Sequence, residues 1–213
     1  PDTAVSGQTE YTINFPQDTE CDILIVGGGG GGSQAHGGGG GGGALIFMKD
    51  VVMNGNYTIK VGDGGDVEGT TGSGTNGKGL KGNNSEIFKT NTNKVTAEGG
   101  GGGGQETNGD GGDGGSGGGG DAYDHTSTAQ KGSATGYTPI LDGITGIKYG
   151  YDGANASGNP GAGGGGGGAG GAGFAASGVK TSGNNGGIGL ATVTISGTNY
   201  DLKTHFAISG DIG

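Results

Sequence analysis

The sequence predicts an all-β protein in which short strands alternate with extended glycine rods and α-helix is essentially absent. Of its 213 residues, 64 are glycine, and many fall in unbroken runs such as 27–32 and 37–43. The apolar stretches that border these runs are short. They either alternate with polar residues or are apolar throughout, as strands do. No stretch shows a sustained apolar period of about 3.6 residues, and glycine would break a helix.

The first predicted strands surround the first pair of glycine runs. Residues 11–15 alternate between apolar and polar side chains, which is typical of a half-buried strand, and Pro16–Glu20 indicates a turn. Cys21–Val26 and Ala44–Met48 are apolar at nearly every position, so we expect them to be covered on both faces. Between them the chain should run out along one rod, turn at Ser33–His36 and return along a second rod.

The later predicted strands are shorter. Val51–Met53 and 57–61 flank Asn54-Gly55, a pair that suits a type I′ turn and predicts a hairpin. Residues 62–86 are polar and predict a long excursion from the sheet. Further strands are predicted at Ile87–Phe88 and Val95–Ala97, on either side of a turn at 91–93, and at Ile188–Ile195 and Thr204–Ile208.

Composition limits the domain organisation. Only 28% of the residues are hydrophobic, which is low for a globular domain and predicts a compact core drawn from a few strands. We expect 1–10 to be a lead-in from a longer chain and 11–195 to be the glycine-rich domain. Residues 196–213 should form a strand-like tail or a linker to a further region.

The glycine runs could be disordered linkers or an ordered structure that only glycine permits. Glycine loses more backbone entropy on ordering than any other residue. However, serine is sparse in the runs and strands enter them without spacers, unlike flexible linkers. Asp110, Asp113 and Ser116 are three residues apart, so they would share one edge of a polyproline-II-type helix. This pattern favours polyglycine-II rods whose bare edges hydrogen-bond to one another.

If the glycine runs form packed rods, the effect of a substitution should depend on its position in the chain. Valine at Gly29, Gly40 or Gly165 should disrupt the bundle, whereas replacement of Asp113 or Ser116 should be tolerated. The glycines taken to represent the scaffold are Gly29, Gly40, Gly101, Gly118 and Gly165.

Charge and cysteine content exclude several classes of protein. The net charge of −10 argues against nucleic acid or an anionic membrane as a partner. No apolar run approaches the length of a membrane-spanning helix, so we expect no membrane insertion. Cys21 is the only cysteine, which excludes an internal disulfide. We interpret it as a buried, inert thiol.

No residue set predicts catalysis, a metal site or a cofactor. His36, His125 and His205 lack a partner at metal-ligand spacing, and we expect them to be solvated. No nucleophile motif is present, so an enzyme is not expected. Residues 62–66 and 109–116 faintly resemble calcium-binding repeats but lack their apolar core residue. Their carboxylates are expected to lie in solvent.

The best candidate contact surface lies in the insert 122–160. Tyrosines on loops held by a rigid scaffold suit recognition of carbohydrate or protein. Alternatively, Ile140, Leu141, Ile144 and Ile147 pack the insert on the sheet and the tyrosines only cap it. The candidate contact residues are Tyr123, His125, Tyr137, Tyr149 and Tyr151, together with Ser33, Gln34 and His36 at the first rod tip.

Several junctions carry a resemblance to a known family. They are ALIF at 44–47 after glycine, YTIKVGDGG at 57–65, VTAEGGGGGG at 95–104, GAGGGGGGAGGAG at 161–173 and GGIGLATVTI at 186–195. The order resembles the glycine-rich domains of large algal DNA virus proteins and of anaplastic lymphoma kinase and its sister receptor. More loosely, it resembles the polyglycine tail-fibre adhesins of some bacteriophages. The resemblance implies a β-sandwich of tumour-necrosis-factor or jelly-roll type carrying a polyglycine-II bundle. The receptors have paired cysteines, so the lone Cys21 favours the viral relatives.

These observations predict a non-enzymatic structural and attachment protein of a virion or fibre surface, located on a virion or outside the cell. The partner would be a host-surface glycan or protein, or neighbouring structural subunits in a homo-oligomer such as a trimer. The alternatives are a receptor or ligand-binding ectodomain and a self-assembling extracellular filament subunit.

Overall fold

A computed structural model gives the fold. It describes residues 3–5, 7–34, 36–68, 77–89, 94–105, 109–122, 130–135, 145–156, 162–175 and 183–209. Within these residues the protein is almost entirely β, as the sequence predicts. Antiparallel sheets form one part, and glycine rods joined by backbone hydrogen bonds form the other.

Eight strands and one helical turn make up the regular structure of the described residues. They are β1 (Thr3–Val5), β2 (Gln8–Val26), β3 (Leu45–Gly62), β4 (Ser85–Phe88), β5 (Lys94–Ala97), β6 (Thr145–Tyr149), β7 (Thr192–Ile195), β8 (Thr198–Asp201) and α1 (Leu202–His205). The main sheet has the order β1-β2-β3-β4-β5, with β6 also paired to β3, and β7-β8 form a separate hairpin. The predicted strands at 87–88 and 95–97 are confirmed, and their turn at 91–93 lies outside the described residues. Residues 3–5 and 8–10 belong to the sheet.

The two long strands replace two predicted turns. β2 continues through Pro16–Glu20, and β3 continues through Asn54-Gly55, so both turn predictions are wrong. The register shifts between Phe15 and Thr19, where three residues of β2 face Asn54 alone. Proline is accommodated at this bulge because it has no N–H to donate to the hydrogen bonds between the strands. Gly55 has the positive φ of 79° that the sequence pattern suggests. However, it lies beside a bulge in a continuous strand pair and not in a hairpin turn.

A second irregularity bends the sheet at Asp22. Cys21 pairs with Val51 and Ile23 with Met48, so two residues of β3 face Asp22. The sheet curls enough for the end of β5 to meet the start of β3, where the Ala44 N–H donates to the Glu98 carbonyl at 2.8 Å. The inner apolar cluster is formed by Ile25, Ala44, Ile46, Met48, Val51, Met53, Val95 and Ala97. Cys21 is only half-buried against it, so the expectation of a buried thiol is wrong.

The outer face of the sheet is covered by the C-terminal hairpin and helix. The buried residues of this outer cluster are Leu45, Phe47, Val193, Ile195 and Leu202. Phe47 is fully buried and makes edge-to-face contacts with Tyr200 and Phe206. The predicted strand at Thr204–Ile208 is wrong because Asp201 caps α1 there, accepting the Thr204 N–H at 2.8 Å. Of the predicted strand 188–195, only Thr192–Ile195 forms a strand, which is β7.

The first two rods show the threefold pattern predicted for polyglycine II. Backbone N–H groups at 27, 30 and 33 donate to carbonyls at 44, 41 and 38, at 2.8–3.1 Å. Those at 28, 31 and 34 donate to carbonyls at 83, 80 and 77. Residues three apart therefore meet the same neighbour, as in a helix with three residues per turn. The out-and-back path of rods 27–34 and 37–44 matches the prediction, and 77–83, predicted to be an excursion, is a third rod.

One rod, residues 116–122, lies at the centre of the bundle and is buried throughout. Each of its three edges donates to one neighbour and accepts from another, so it is bonded to six described segments. Its donors reach carbonyls in 36–42, 109–112 and 151–154, and its carbonyls accept from N–H groups in 101–104, 164–167 and at 132. This is the hydrogen bonding of a hexagonal lattice of threefold helices.

The lattice leaves no room for Cβ atoms at most glycines. A Cβ at Gly40 would lie 2.1 Å from the Gly30 carbonyl oxygen, far inside van der Waals contact. A Cβ would also lie 1.8 Å from a carbonyl oxygen at Gly101, 2.1 Å at Gly118 and 1.9 Å at Gly165. Gly29 differs, because it is exposed and its Cβ would meet nothing closer than 3.9 Å. The expectation that Gly29 excludes a side chain is therefore revised.

Adjacent glycines of the first rod should respond oppositely to alanine. At Gly30 a Cβ would lie 2.2 Å from the Gly101 carbonyl oxygen, so Gly30→Ala should lower the free energy of unfolding by about 1–3 kcal/mol. Gly29→Ala should be neutral or stabilising by up to about 1 kcal/mol, because alanine restricts the unfolded chain. Urea denaturation of both variants measures this difference. Equal destabilisation by the two would contradict the lattice.

Candidate contact surface

The rods end together at the side of the bundle away from the sheet, which we call the distal tip. It is defined by Ser33, Gln34, His36, Gly77, Gln105, Gly109 and Ala122. The Gln34 N–H donates to the Gly77 carbonyl at 3.1 Å, and the Ala122 N–H donates to the His36 carbonyl at 3.3 Å. Three separate parts of the chain therefore meet at this tip.

The three candidate residues of the first rod tip have different environments. The Ser33 hydroxyl donates to the Gly104 carbonyl at 2.6 Å, so this side chain fastens one rod to another. Gln34 is half-buried and His36 is exposed. Of the three, His36 and Gln34 are the side chains that can meet a partner.

Other connections between rods begin and end beside the same tip. Gln105 and Gly109 are bonded to each other by their backbones at 2.6 Å. Ala122 packs against Ala156 in a small buried cluster. Asn184 donates from its side chain to the Gly163 carbonyl at 2.8 Å. The connections 69–76, 106–108, 123–129, 157–161 and 176–182 join these rod ends and lie outside the described residues.

The structure separates two of the candidate tyrosines, Tyr149 and Tyr151, from the distal tip. Tyr149 ends β6, and the Tyr151 carbonyl accepts from Gly117 near the start of the central rod. Both lie at the sheet end of the bundle. A rod of six residues separates this end from the tip by roughly 19 Å. Tyr123, His125 and Tyr137 lie outside the described residues.

The insert 122–160 contributes to packing through the part that the structure describes. Ile147 and Tyr149 pack on the outer cluster, and residues 145–149 form a strand that sequence reasoning missed. Tyr151 is 42% exposed. Ile140, Leu141 and Ile144 are outside the described residues. The alternative in which the insert packs on the sheet therefore holds for Ile147 and Tyr149, and Tyr151 remains available for contact.

Residues 130–135 form an outer strap that is held by acidic and amide side chains. Asp110 and Asp113 accept the backbone N–H groups of Gln130 and Ser133 at 2.7 and 2.6 Å. On the other side, Asp152 accepts from the Ala134 N–H at 2.8 Å and from the Lys131 ammonium at 2.7 Å. The hydrogen bonds from Lys131 and Ala134 hold the pKa of Asp152 below its usual value.

The strap corrects the sequence expectation for Asp110 and Asp113, and the burial of Ser116 bears on a second expectation. Asp110 and Asp113 are exposed but act as acceptors for a neighbouring backbone, so they are not simply solvated carboxylates. Ser116, expected to tolerate replacement, is completely buried in the central rod. Its hydroxyl oxygen lies 3.4 Å from the Tyr151 backbone nitrogen.

A charged cluster joins the sheet to the C-terminal helix. Asp22 Oδ2 lies 2.7 Å from both Lys49 Nζ and His205 Nε2, and Oδ1 accepts the Asp50 N–H at 3.0 Å. His205 therefore has a carboxylate partner, contrary to the sequence expectation. Burial alone would raise the pKa of Asp22, but these hydrogen bonds together hold it below its usual value. The bond to Asp22 is the main cause that raises the pKa of Lys49.

The described residues contain neither a metal-binding cluster nor a membrane-spanning helix. Among the described residues, no group of three or more His, Cys, Asp or Glu side chains is placed to hold a metal ion. In the same part of the chain, no helix has the length and apolar character needed to cross a membrane.

The fold defines a class of all-β proteins in which a glycine lattice extends from a curled sheet. The sequence model of the family described as glycine-rich domain matches residues 3–204. The chain therefore belongs to the glycine-rich domain family. Neither the curated proteins nor the solved structures gave a match.

The strap should open when its side-chain acceptors are removed. Asp152→Ala leaves the Ala134 N–H and the Lys131 ammonium without their acceptor. The loss of about 1 kcal/mol should raise tryptic cleavage after Lys131 about fivefold. Mass spectrometry of a limited digest at pH 8 measures this rate. Asp66→Ala, which removes a similar acceptor for the Val67 N–H, should leave cleavage after Lys131 unchanged. An equal rate in Asp152→Ala and the parent protein would contradict the role of the strap.

The Asp22 cluster should make stability depend on pH. Because the folded-state pKa of Asp22 is lowered, its contribution is present above about pH 4 and is lost as pH falls through that pKa. The raised pKa of Lys49 keeps its contribution up to about pH 10, with loss as pH rises further. Asp22→Asn should lower the free energy of unfolding by about 1–3 kcal/mol near neutral pH.

Denaturation of the parent protein and Asp22→Asn across pH 2–8 tests this dependence. The difference between them should shrink below about pH 4. Asp18→Asn, at an exposed site, is the control and should show a small difference. A difference for Asp22→Asn that stays constant down to pH 2 would contradict the assignment.

Proposed function

We propose that this chain is a non-enzymatic structural and attachment module of a virion or fibre surface. Its glycine lattice is a rigid scaffold, and the distal tip is the contact surface. The observation that carries the proposal is the central rod. Bonded to six described segments, it holds the ends of separate rods together at one side. Loops displayed on a rigid scaffold are a common arrangement for recognition.

The chemistry of the tip supports a polar partner. Its described side chains include the half-buried amide of Gln34 and the exposed imidazole of His36. Both side chains can hydrogen-bond to the hydroxyl groups of a sugar. A host-surface glycan is therefore the proposed partner. The resemblance to glycine-rich proteins of large algal DNA viruses and to phage tail-fibre adhesins gives the proposed location.

A second candidate function is self-assembly with neighbouring subunits. Tyr11, Ile13 and Val61 are 41%, 39% and 46% exposed, and all three lie on the two long strands. Tyr11 and Ile13 are two residues apart and therefore share a face of the sheet. Grouped apolar residues in solvent often mark an interface. Sedimentation at increasing concentration distinguishes a monomeric module from an assembling one.

Substitution at the distal tip tests the attachment proposal. The double variant Gln34→Ala/His36→Ala should reduce binding to a printed glycan panel at least tenfold, because both side chains are removed from the proposed contact surface. The expected loss corresponds to about 1.4 kcal/mol. Immunogold labelling of purified particles from the native source should place the chain on their exterior.

Val52→Thr is the matched control for the tip variant. Val52 is 56% exposed on the sheet, and its replacement should leave glycan binding unchanged. Binding that survives the tip substitutions, or that Val52→Thr abolishes equally, would contradict the contact surface. Absence of the chain from particle exteriors would contradict the proposed location.

A further inference from the structure

Four asparagines of the chain are followed directly by glycine. They are Asn54, Asn76, Asn108 and Asn185. In this dipeptide the backbone nitrogen of the glycine can attack the side-chain amide carbon of the asparagine, because glycine has no Cβ to obstruct the approach. The structure describes both residues of the pair at 54–55 and at 185–186, and the two pairs have different surroundings.

The first pair, Asn54-Gly55, is held within the pairing of β2 with β3. Gly55 pairs with Phe15 in the sheet. The Asn54 side-chain amide donates to Asp18 Oδ1 at 2.6 Å, and the Asn54 carbonyl accepts from the Lys89 ammonium at 2.6 Å. Movement of the Asn54 side chain toward the Gly55 nitrogen would break the bond to Asp18. These contacts therefore oppose the attack.

The second pair lies in residues 183–191, which we call the last rod, at the outer edge of the lattice. Every third residue of this rod, at 184, 187 and 190, is half-buried, and the residues between them are exposed. The N–H groups of Asn184 and Gly187 donate to the carbonyls at 163 and 166, at 3.3 and 2.8 Å. Asn185 and Gly186 are both exposed, so water reaches them.

The reacting groups of the second pair are not held. Within the described part of the chain, the Asn185 side chain makes no hydrogen bond and the Gly186 N–H donates to no acceptor. The preceding Asn184 differs, because its side chain donates to the Gly163 carbonyl at 2.8 Å. The Asn185 carbonyl accepts the Phe174 N–H at 3.1 Å, which fixes the rod but leaves the side chain free to turn.

We propose that Asn185 is a site of spontaneous deamidation. The Gly186 nitrogen, after losing its proton to hydroxide, forms a bond to the Asn185 Cγ, and the side-chain nitrogen takes a proton from water and leaves as ammonia. The product is a five-membered succinimide ring. Water then opens this ring at one of its two carbonyl carbons, which gives either aspartate or isoaspartate at position 185. The site does not depend on the proposed attachment function.

Formation of isoaspartate releases the last rod from the lattice. In isoaspartate the main chain passes through the side-chain methylene group, so one carbon atom is added between Asn184 and Gly187. These two residues are one turn apart in a threefold rod, and both donate to the same neighbouring segment, 163–166. A longer main chain cannot keep both hydrogen bonds. Aspartate leaves the main chain unchanged and should retain them.

Incubation of the full chain at pH 8 and 37 °C, followed by peptide mass spectrometry, tests the site. Trypsin places Asn54 in the peptide 50–60 and Asn185 in the peptide 181–203, and electron-transfer fragmentation identifies isoaspartate. Asn185 should be converted about fivefold faster than Asn54, because no side-chain hydrogen bond has to break there. The proposal is overturned if Asn185 is not converted or if Asn54 is converted at an equal rate.

Gly186→Ala is the matched variant for the attacking group. A Cβ at Gly186 would lie 3.6 Å from the Gly166 carbonyl oxygen, which is an ordinary contact, so the variant should fold. It should slow the conversion of Asn185 because the methyl group obstructs the attack, and it should leave the conversion of Asn54 unchanged. Conversion of Asn185 at the parent rate in this variant would contradict attack by the Gly186 nitrogen.

Hydrogen exchange at the Gly187 amide tests the release of the rod. Aged protein that contains isoaspartate should exchange this amide about fivefold faster than fresh protein, because its bond to the carbonyl at 166 is lost. Freshly prepared Asn185→Asp adds the charge without lengthening the main chain and should exchange at the parent rate. If Asn185→Asp exchanges as fast as the aged protein, or if the aged protein exchanges like fresh protein, release by isoaspartate is ruled out.

Discussion

The protein depends on the close approach of one backbone to another without side chains between them. In most proteins apolar side chains exclude water from the interior. Here, glycine α-carbons lie against carbonyl oxygens of the next rod, and a Cβ at Gly38 would be 1.9 Å from the Gly119 oxygen. Peptide groups in the buried central rod are satisfied by its neighbours. Each such bond contributes about 1 kcal/mol net, which offsets the large entropy lost when glycine is ordered.

The sheet and the lattice stabilise each other because the chain passes directly from one to the other. At Val26 and Gly27 the chain changes from a strand, whose backbone repeats every two residues, to a rod that repeats every three. No loop connects the two. The Gly27 N–H donates to Ala44, and the Ala44 N–H donates to Glu98, so the rods start from strands that are already fixed. Polar side chains at the edges of the bundle bind backbone groups of neighbouring segments. There Asp110, Asp113 and Asp152 bind the strap.

Features that have a single physical solution can be predicted from the sequence. Where one sequence signal fits several structures, the sequence does not decide between them. Long glycine runs between strands can be ordered only by bonding to one another, so the rods were predictable. Asn54-Gly55 indicates a positive φ, which suits either a hairpin turn or a bulge. Only the long pairing of β2 with β3 decides between these two structures. His205 and Asp22 are 183 residues apart, so no local pattern could reveal their contact. The distal tip likewise depends on how distant rods stack.

The buried central rod also has a thermodynamic consequence. Unfolding a conventional core exposes apolar surface and gives a large positive heat-capacity change, whereas exposure of peptide groups reduces it. The interior of this bundle consists of peptide groups, so unfolding should show a small heat-capacity change for a chain of this length. The curve of stability against temperature would then be broad and flat. Such a protein keeps much the same stability in cold water and in warm water.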